Sequence, residues 1–382
     1  MILLLQRHIA NYRKGIYENL NNLLGIIPVI GKHGPKNNYI KNIRPNCEFF
    51  EINDFYPIKK NETFAFLDVI TPIIKFRPRI IITESSSGII SNYLLFILKH
   101  FYKFKIILWG HGYDMKAGFR PKSSIKDRLR KLCCELSDAI IVYNETARLK
   151  LSQYVNPKKI FVACSTLDTN NLTQLKTKFE KLGKDEIKKE LNLCTKYNLV
   201  YVGRFLKEKH PDILIDVLRK FLNRNLSITL HYIGDGEMDN ILRLKAQNFK
   251  KEHSEGAIKI KFWGTISNEE LLGKLLFVSD IMIIPQDLGL SAVSAFCFGL
   301  PIITQKNAFQ GPEAEYLINN YNGFLSEHNN NGNMADKILN YLNSSEKEKK
   351  RIKENISFTV KNICSLDNFL NGFKEAIGYL NN

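Results

Sequence analysis

Three hundred and eighty-two residues and 44.1 kDa exceed one ordinary hydrophobic core of about 100–200 residues, so two domains of similar size are expected. Hydrophobic residues at 44% and charged residues at 24% exclude an intrinsically disordered chain. The net charge of +17 is lopsided: residues 1–150 hold 24 basic and 12 acidic side chains, so that half meets something anionic or is kept soluble by its charge.

In chain order, Ile2–Leu5 is an apolar run of strand length, too short for a signal peptide. No later stretch offers the ~20 uninterrupted apolar residues that span a bilayer. Cys47–Ile52, Arg79–Thr83, Lys105–Trp109, Ala139–Val142 and Lys159–Val162 read as further buried parallel strands, with amphipathic stretches such as Ile125–Leu136 between them. That alternation predicts a βαβ series. On the helix 125–136, Ile125, Leu129, Leu132 and Leu136 are expected to face a core. The basic stretch from Lys116 through Arg120, Lys122, Lys126, Arg128 and Arg130 to Lys131 then reads as a solvated face rather than a nucleic-acid footprint.

A Lys-, Thr- and Glu-rich interval follows, roughly Thr169–Lys196, with no strand signal. It is the expected linker, drawn at 169–184 between a first domain, 1–168, and a second, 185–364. The strand series then restarts at Leu199–Val202, Ser227–Ile233, Ile258–Phe262, Ile281–Pro285 and Pro301–Thr304. Helical patterns run from Ser345 to the end, and the last of them, about 365–382, is expected to join the first domain. The fold class is α/β: two doubly wound parallel sheets, with ligands at the carboxyl ends of the strands. The seven cysteines form no C-x-x-C pair and read as reduced thiols of a cytosolic protein.

Chemistry concentrates at the strand ends of the second half. One strand ends in Gly203-Arg204 with Lys209 shortly after. A second ends in Gly234-Asp235-Gly236, a third in Trp263-Gly264, and a fourth at Pro285 before Gln286-Asp287-Leu288-Gly289-Leu290-Ser291. Glycines admit close backbone approach, and Arg204 and Lys209 are two cations where a phosphate would arrive. A helix opening near Leu290–Ser291 would aim its free N–H groups and positive dipole end at the same place. No Gly-x-Gly-x-x-Gly opens the first βα unit and no Gly-x-x-x-x-Gly-Lys-Ser/Thr loop occurs, which argues against a dinucleotide dehydrogenase and against a P-loop kinase or ATPase.

This ordered set resembles the GT-B-fold retaining glycosyltransferases, the glycogen-synthase-like family four that includes many bacterial polysaccharide enzymes. The likeness spans nearly the whole chain and is strongest from Tyr201 to Leu325. There Gly203-Arg204, Glu208-Lys209, Gly234-Asp235-Gly236, Pro285, Gly289-Leu290, Gly299-Leu300-Pro301 and Asn322-Gly323 follow in the family's order. In the first half Asn11-Tyr12-Arg13 and Trp109-Gly110-His111-Gly112 resemble pieces of a bacterial branch. A GT-A enzyme would instead want an Asp-x-Asp metal motif, and the nearest sequence is Asp235-Gly236-Glu237.

The resemblance implies a glycosyltransferase that needs neither metal nor cofactor and takes a nucleotide-sugar donor as co-substrate. The acceptor would be lipid-linked or an oligosaccharide, in the synthesis of capsule, lipopolysaccharide O-antigen or exopolysaccharide. Separately, the positive charge of the first half favours contact with anionic lipid headgroups or a lipid diphosphate acceptor, so the protein is expected to be cytoplasmic and peripheral on the anionic inner membrane surface. Arg204 and Lys209 would bind the diphosphate and His111 would reach the reacting centre. Gly203, Gly234, Gly264, Gln286, Gly289, Leu290, Ser291, Ser294 and Glu313 would line the donor site, with Tyr12 and Arg13 on the acceptor side. The plain reading of His111 is a loop histidine between glycines, and that of Glu313 is helix-start chemistry behind Pro312. One departure stands out: where the family carries two glutamates eight positions apart, this chain has Gln286 and Ser294. That departure keeps open a second reading, a non-catalytic nucleotide-sugar or glycan-binding subunit of a glycan assembly complex.

Overall fold

The computed structural model describes all residues except 35–41, 58–63, 116–117, 223, 225, 254–256, 309 and 382. Its chain divides into two compact units: unit 1 is 1–168 with 366–382, and unit 2 is 169–365.

The strands of unit 1 are, in order, β1 (Ile2–Gln6), β2 (Ile26–Gly31), β3 (Phe50–Ile52), β4 (Asp54–Phe55), β5 (Phe66–Leu67), β6 (Ile80–Glu84), β7 (Lys105–Trp109), β8 (Ala139–Val142) and β9 (Ile160–Val162). Seven of them form a parallel sheet in the order β3-β2-β1-β6-β7-β8-β9, while β4 and β5 pair as a small antiparallel ribbon. Every residue of β1 is buried, as expected of a strand covered on both faces. The chain leaves β1 toward β2 on one side and comes back to β6 on the other, so the topological switch lies between β1 and β6. The last helix, Leu366–Tyr379, buries Phe369 and Phe373 against Trp109, with ring centroids 5.9 and 5.2 Å away.

Unit 2 holds β10 (Tyr197–Val202), β11 (Ile228–Ile233), β12 (Ile258–Phe262), β13 (Ile281–Ile283), β14 (Ile302–Gln305) and β15 (Gly323–Ser326). They make one parallel sheet in the order β12-β11-β10-β13-β14-β15, with the switch between β10 and β13.

Three expectations are corrected. The interval 169–184 is not a linker between the units: Thr169–Leu182 is a helix of unit 2 that buries Leu172 and Phe179, and Phe179 packs on Phe277 and Phe298 at 5.9 and 6.1 Å between centroids. Its polar surface hid a narrow apolar stripe that unit 2 requires. The strands β2 and β15 were not anticipated, β2 because Pro28 inside it argues against a strand flanked on both sides. The helix Ile125–Leu136 is turned over. Its inward face carries Asp127, Cys133 and Cys134, whereas Ile125, Leu129, Leu132 and Leu136 are 74%, 40%, 43% and 43% exposed. Asp127 explains the orientation, since its carboxylate accepts from the Arg120 main-chain N–H at 3.0 Å and pairs with Arg130 at 2.7 Å. The inward polar residues are therefore satisfied, and the helix loses little by burying them. Lys116 of the same basic stretch lies outside the described residues.

Candidate active site

In unit 2 the loops after β10, β11 and β12 are laced by main-chain hydrogen bonds: Gly203 N to Ile233 O at 3.0 Å, Phe205 N to Asp235 O at 2.9 Å and Gly234 N to Gly264 O at 2.9 Å. This fixes the strand ends as one surface. Arg204 sits on it at the switch point with an exposed side chain, and no residue among those described pairs with its guanidinium. The buried Tyr201 hydroxyl donates to the Arg204 carbonyl at 3.0 Å, which holds the loop while leaving the side chain outside.

Lys209 is held differently. Its Nζ donates to the Asp287 carbonyl at 2.6 Å and pairs with the Asp287 carboxylate at 2.8 Å, with only 12% of the lysine side chain exposed. An ammonium has three N–H groups, so one remains for a ligand. Asp287, in the left-handed region at φ 54°, thus joins the loop after β13 to the segment after β10 across the switch. From the other side, Gln310 accepts from Leu288 N at 2.7 Å and donates to Thr304 Oγ1 at 2.8 Å, while Gly311 N donates to Leu288 O at 3.0 Å. The loop carrying Gln286, Asp287 and Gly289 is therefore clamped on both flanks.

The helix after this loop is Ser291–Cys297, opening behind Leu290 with no side-chain cap. Gln286 is half-buried; Ser294, on the helix, is buried. Glu313 is buried in the short 3-10 turn Pro312–Tyr316, and Glu315 is exposed. The strand-end glycines split into two groups. A Cβ on Gly234 would lie 1.9 Å from the Gly203 carbonyl oxygen, so that glycine is required by loop packing, whereas Gly264 and Gly289 face open space. Gly203 lies between these cases, its Cβ position 3.3 Å from the Tyr201 hydroxyl.

Unit 1 has a cavity of about 550 Å³ at its own switch point, between the ends of β1 and β6. Arg7, directly after β1, grips Glu84, at the end of β6, through its main-chain N–H at 3.0 Å and its guanidinium at 3.0 and 2.7 Å. Arg13 lies over the Tyr143 ring at 5.7 Å and His111 stands edge-on to the same ring at 4.7 Å. Tyr12, beside them, is half exposed. Gln6 Nε2, His8 Nδ1 and Trp109 Nε1 are buried with no hydrogen-bond partner among the described residues. Aromatic walls and unsatisfied polar atoms suit a hydroxyl-rich ligand. Arg7, His8, Glu84 and Tyr143 were not singled out from the sequence, although Arg7-His8 follows a strand just as Gly203-Arg204 does.

Burial pushes the His111 imidazole down to about 4, with Arg13 adding repulsion, so it is neutral at physiological pH. Gly112, at φ 72°, lies so close to Leu151 that a Cβ would come within 2.4 Å of it, which fixes the loop behind His111. In unit 2, His231 is wholly buried, its Nε2 3.0 Å from Asn198 Oδ1 and its Nδ1 accepting from Trp263 Nε1 at 3.1 Å. Burial, reinforced by Lys261, pushes it down to about 3. Both folded values lie below the usual histidine value of about 6.5, so the unfolded chain binds more protons in between. The stabilisation is complete above about pH 6.5 and lost as pH falls toward the folded values. Calorimetry from pH 8 to 4 is expected to show falling unfolding temperatures below pH 6.5, with His231 contributing roughly 1.4 kcal/mol per pH unit.

Residues 183–357 match the family described as Glycosyl transferases group 1. An uncharacterized glycosyltransferase of Methanocaldococcus jannaschii is 26% identical over 231 residues, covering 56% of this chain and 58% of that protein. The poly(ribitol-phosphate) alpha-N-acetylglucosaminyltransferase of Staphylococcus aureus is 23% identical over 241 residues, covering 62% and 44%. The matches thus span about half the length of these curated relatives. Among solved structures, a glycosyltransferase of Rickettsia africae aligns over 100% of this chain and 98% of its own, at TM-score 0.71 and 16% identity. Anabaena HepE in complex with UDP aligns over 99% of both chains, at TM-score 0.69 and 14% identity.

Proposed function

We propose that this chain, a GT-B protein with the group 1 glycosyl transferase pattern over residues 183–357, moves a sugar from a nucleotide-diphosphate donor to a glycan acceptor. The transfer proceeds with retention and without a metal, on a lipid-linked or polysaccharide acceptor at the anionic inner face of a bacterial membrane. The observation that carries this reading is Arg204, exposed and without a side-chain partner among the described residues, in the same segment after β10 as Lys209 at the switch point of unit 2.

A guanidinium offers two parallel N–H groups to a phosphate, and the remaining Lys209 N–H adds a second cation. Negative charge on the diphosphate grows as the sugar–phosphate bond breaks, so both cations bind the transition state better than the ground state. That is leaving-group stabilisation supplied by side chains. The helix Ser291–Cys297 adds main-chain N–H groups on the same edge of the sheet. Unit 1 takes the acceptor in the cavity of Arg7, Arg13 and Tyr143, where neutral His111 bonds sugar hydroxyls without adding charge.

The test is a thermal-shift panel of nucleoside diphosphates and nucleotide sugars, followed by turnover on a pool of lipid-linked acceptors. The UDP bound in the HepE structure makes uridine nucleotides the first to try. At 100 times its dissociation constant a ligand stabilises by about 2.7 kcal/mol, a clear shift. Silence across the whole panel removes the donor-site reading. Gln286 and Ser294, neutral where the family carries carboxylates, favour a second reading as a non-catalytic nucleotide-sugar or glycan-binding subunit. Donor binding without turnover on any acceptor selects that one.

A further inference from the structure

The helices Ser91–Tyr102 and Ile125–Leu136 lie side by side on unit 1, tied by Lys99 Nζ, which donates to the Leu136 carbonyl at 2.9 Å. Both turn apolar side chains outward. On the first, Ile97 and Phe101 are 58% and 75% exposed, with Leu94 one turn before Ile97 and also exposed. On the second, Ile125, Leu129, Leu132 and Leu136 fall within a stripe about 60° wide at 3.6 residues per turn, and all four are exposed. Single exposed apolar residues are ordinary, but seven on the outward faces of two adjoining helices exceed that, and exposed apolar surface of this extent marks an interaction surface.

The charge around this patch selects its occupant. The segment 91–105 contains no acidic residue and ends in exposed Lys103 and Lys105. Lys122, Lys126 and Arg128 are exposed alongside Ile125, and on the outer surface of that helix Glu135 is the one exposed acid among the described residues. An apolar stripe with a basic border is the pattern of a surface that lies in the headgroup layer of an anionic bilayer, its apolar side chains at the acyl boundary and its cations on the phosphates. No helix among the described residues is long and apolar enough to cross a membrane.

We infer that the outward faces of Ser91–Tyr102 and Ile125–Leu136 are a docking surface for an anionic lipid bilayer. The inference shares with the proposed function only the membrane location of the acceptor, and it stands on exposure and charge rather than on donor chemistry.

Vesicle flotation tests it, with phosphatidylcholine vesicles lacking or containing phosphatidylglycerol. The full chain is expected to float with the anionic vesicles and far less with the neutral ones. The double substitution Lys126→Ala with Arg128→Ala is expected to weaken binding roughly 30-fold, at about one such side chain's electrostatic gain each. Ile125→Ser with Phe101→Ser is expected to weaken it by about tenfold or more, because the apolar insertion is lost. All four positions are exposed, so unchanged unfolding temperatures check that the fold is intact. Equal flotation on neutral vesicles, or flotation indifferent to both variants, overturns the inference. So does a lipid-free dimer that Ile125→Ser with Phe101→Ser disperses, since the patch would then be covered by a second copy. Nucleoside-diphosphate binding measured on the unsubstituted chain keeps the readings apart: nucleotide bound by a chain that floats with neither kind of vesicle refutes the docking surface alone.

Discussion

Arg204→Ala is expected to lower turnover by about 10²–10³ and to abolish the thermal shift given by a nucleoside diphosphate, with no change in unfolding temperature of the free protein. The side chain is exposed and pairs with nothing among the described residues, so its removal orphans no buried group. All of its effect should therefore appear in the presence of the donor. Lys209→Ala makes the contrast. It also removes a cation from the diphosphate, but it leaves the half-buried Asp287 carboxylate without its partner and cuts the tie from Lys209 Nζ to the Asp287 carbonyl. That variant should lose both binding and stability, the latter by roughly 1–3 kcal/mol. Arg204→Lys should recover only part of the loss, because an ammonium meets a phosphate as a point charge and forgoes the paired N–H geometry. Isothermal titration with the best nucleotide of the panel, beside calorimetric unfolding of each apo variant, reads both quantities. An Arg204→Ala protein that binds as tightly as the parent would remove Arg204 from the donor site.

Much of this architecture was legible because buried parallel strands are short apolar runs, and that signal survives without neighbours. Ile2–Leu5, Lys105–Trp109 and Ile258–Phe262 were read almost to the residue. What the pattern could not carry was anything that depends on a partner in space. Pro28 disguised β2, and the polar surface of Thr169–Leu182 disguised a helix that one buried phenylalanine anchors. The helix 125–136 failed more instructively. Its periodicity was read correctly and its direction wrongly, because a stripe of four aliphatic residues shows which side is apolar and not which side faces the sheet. The deciding residue was Asp127: its i,i+3 pair with Arg130 could be read from spacing, but the Arg120 main-chain N–H that it accepts from could not be placed before the chain was folded. In the candidate site, Arg204 and Lys209 were singled out by position after a strand, but the difference between an exposed guanidinium and a clamped ammonium belongs to Asp287, on the far side of the switch. In the cavity of unit 1, Tyr12, Arg13 and His111 had been singled out, whereas Arg7, Glu84 and Tyr143 had not, because they are far apart in sequence and meet only through sheet order.

Gly234→Ala and Gly289→Ala should have opposite consequences, although both glycines stand at strand ends of the same sheet. At Gly234 the new Cβ would be 1.9 Å from the Gly203 carbonyl oxygen and 2.9 Å from its carbon, at a φ of +140° that an alanine resists. The nearest obstacle is the Gly203 backbone, pinned by Gly203 N to Ile233 O, while Gly234 itself is held by its N–H to Gly264 O, so neither loop can yield without breaking the lacing of three strand ends. Overpacking and backbone strain of this kind each cost about 1–3 kcal/mol, and together they approach the whole stability of a domain at about 5–15 kcal/mol. Unit 2 is therefore expected to unfold at a much lower temperature or to fail to accumulate, with nucleotide binding lost for that reason. At Gly289 the Cβ meets nothing within 4 Å and the backbone is not left-handed, so the free protein should be as stable as the parent or slightly more so. If the clamped loop lies against the donor, that methyl group projects where the ligand approaches, and affinity for the diphosphate should fall about tenfold or more with stability intact. Calorimetry of both variants and titration of the second separate a glycine kept for packing from one kept for approach. Normal nucleotide affinity in Gly289→Ala would move the donor away from the loop after β13, toward Arg204 and Gly264 alone.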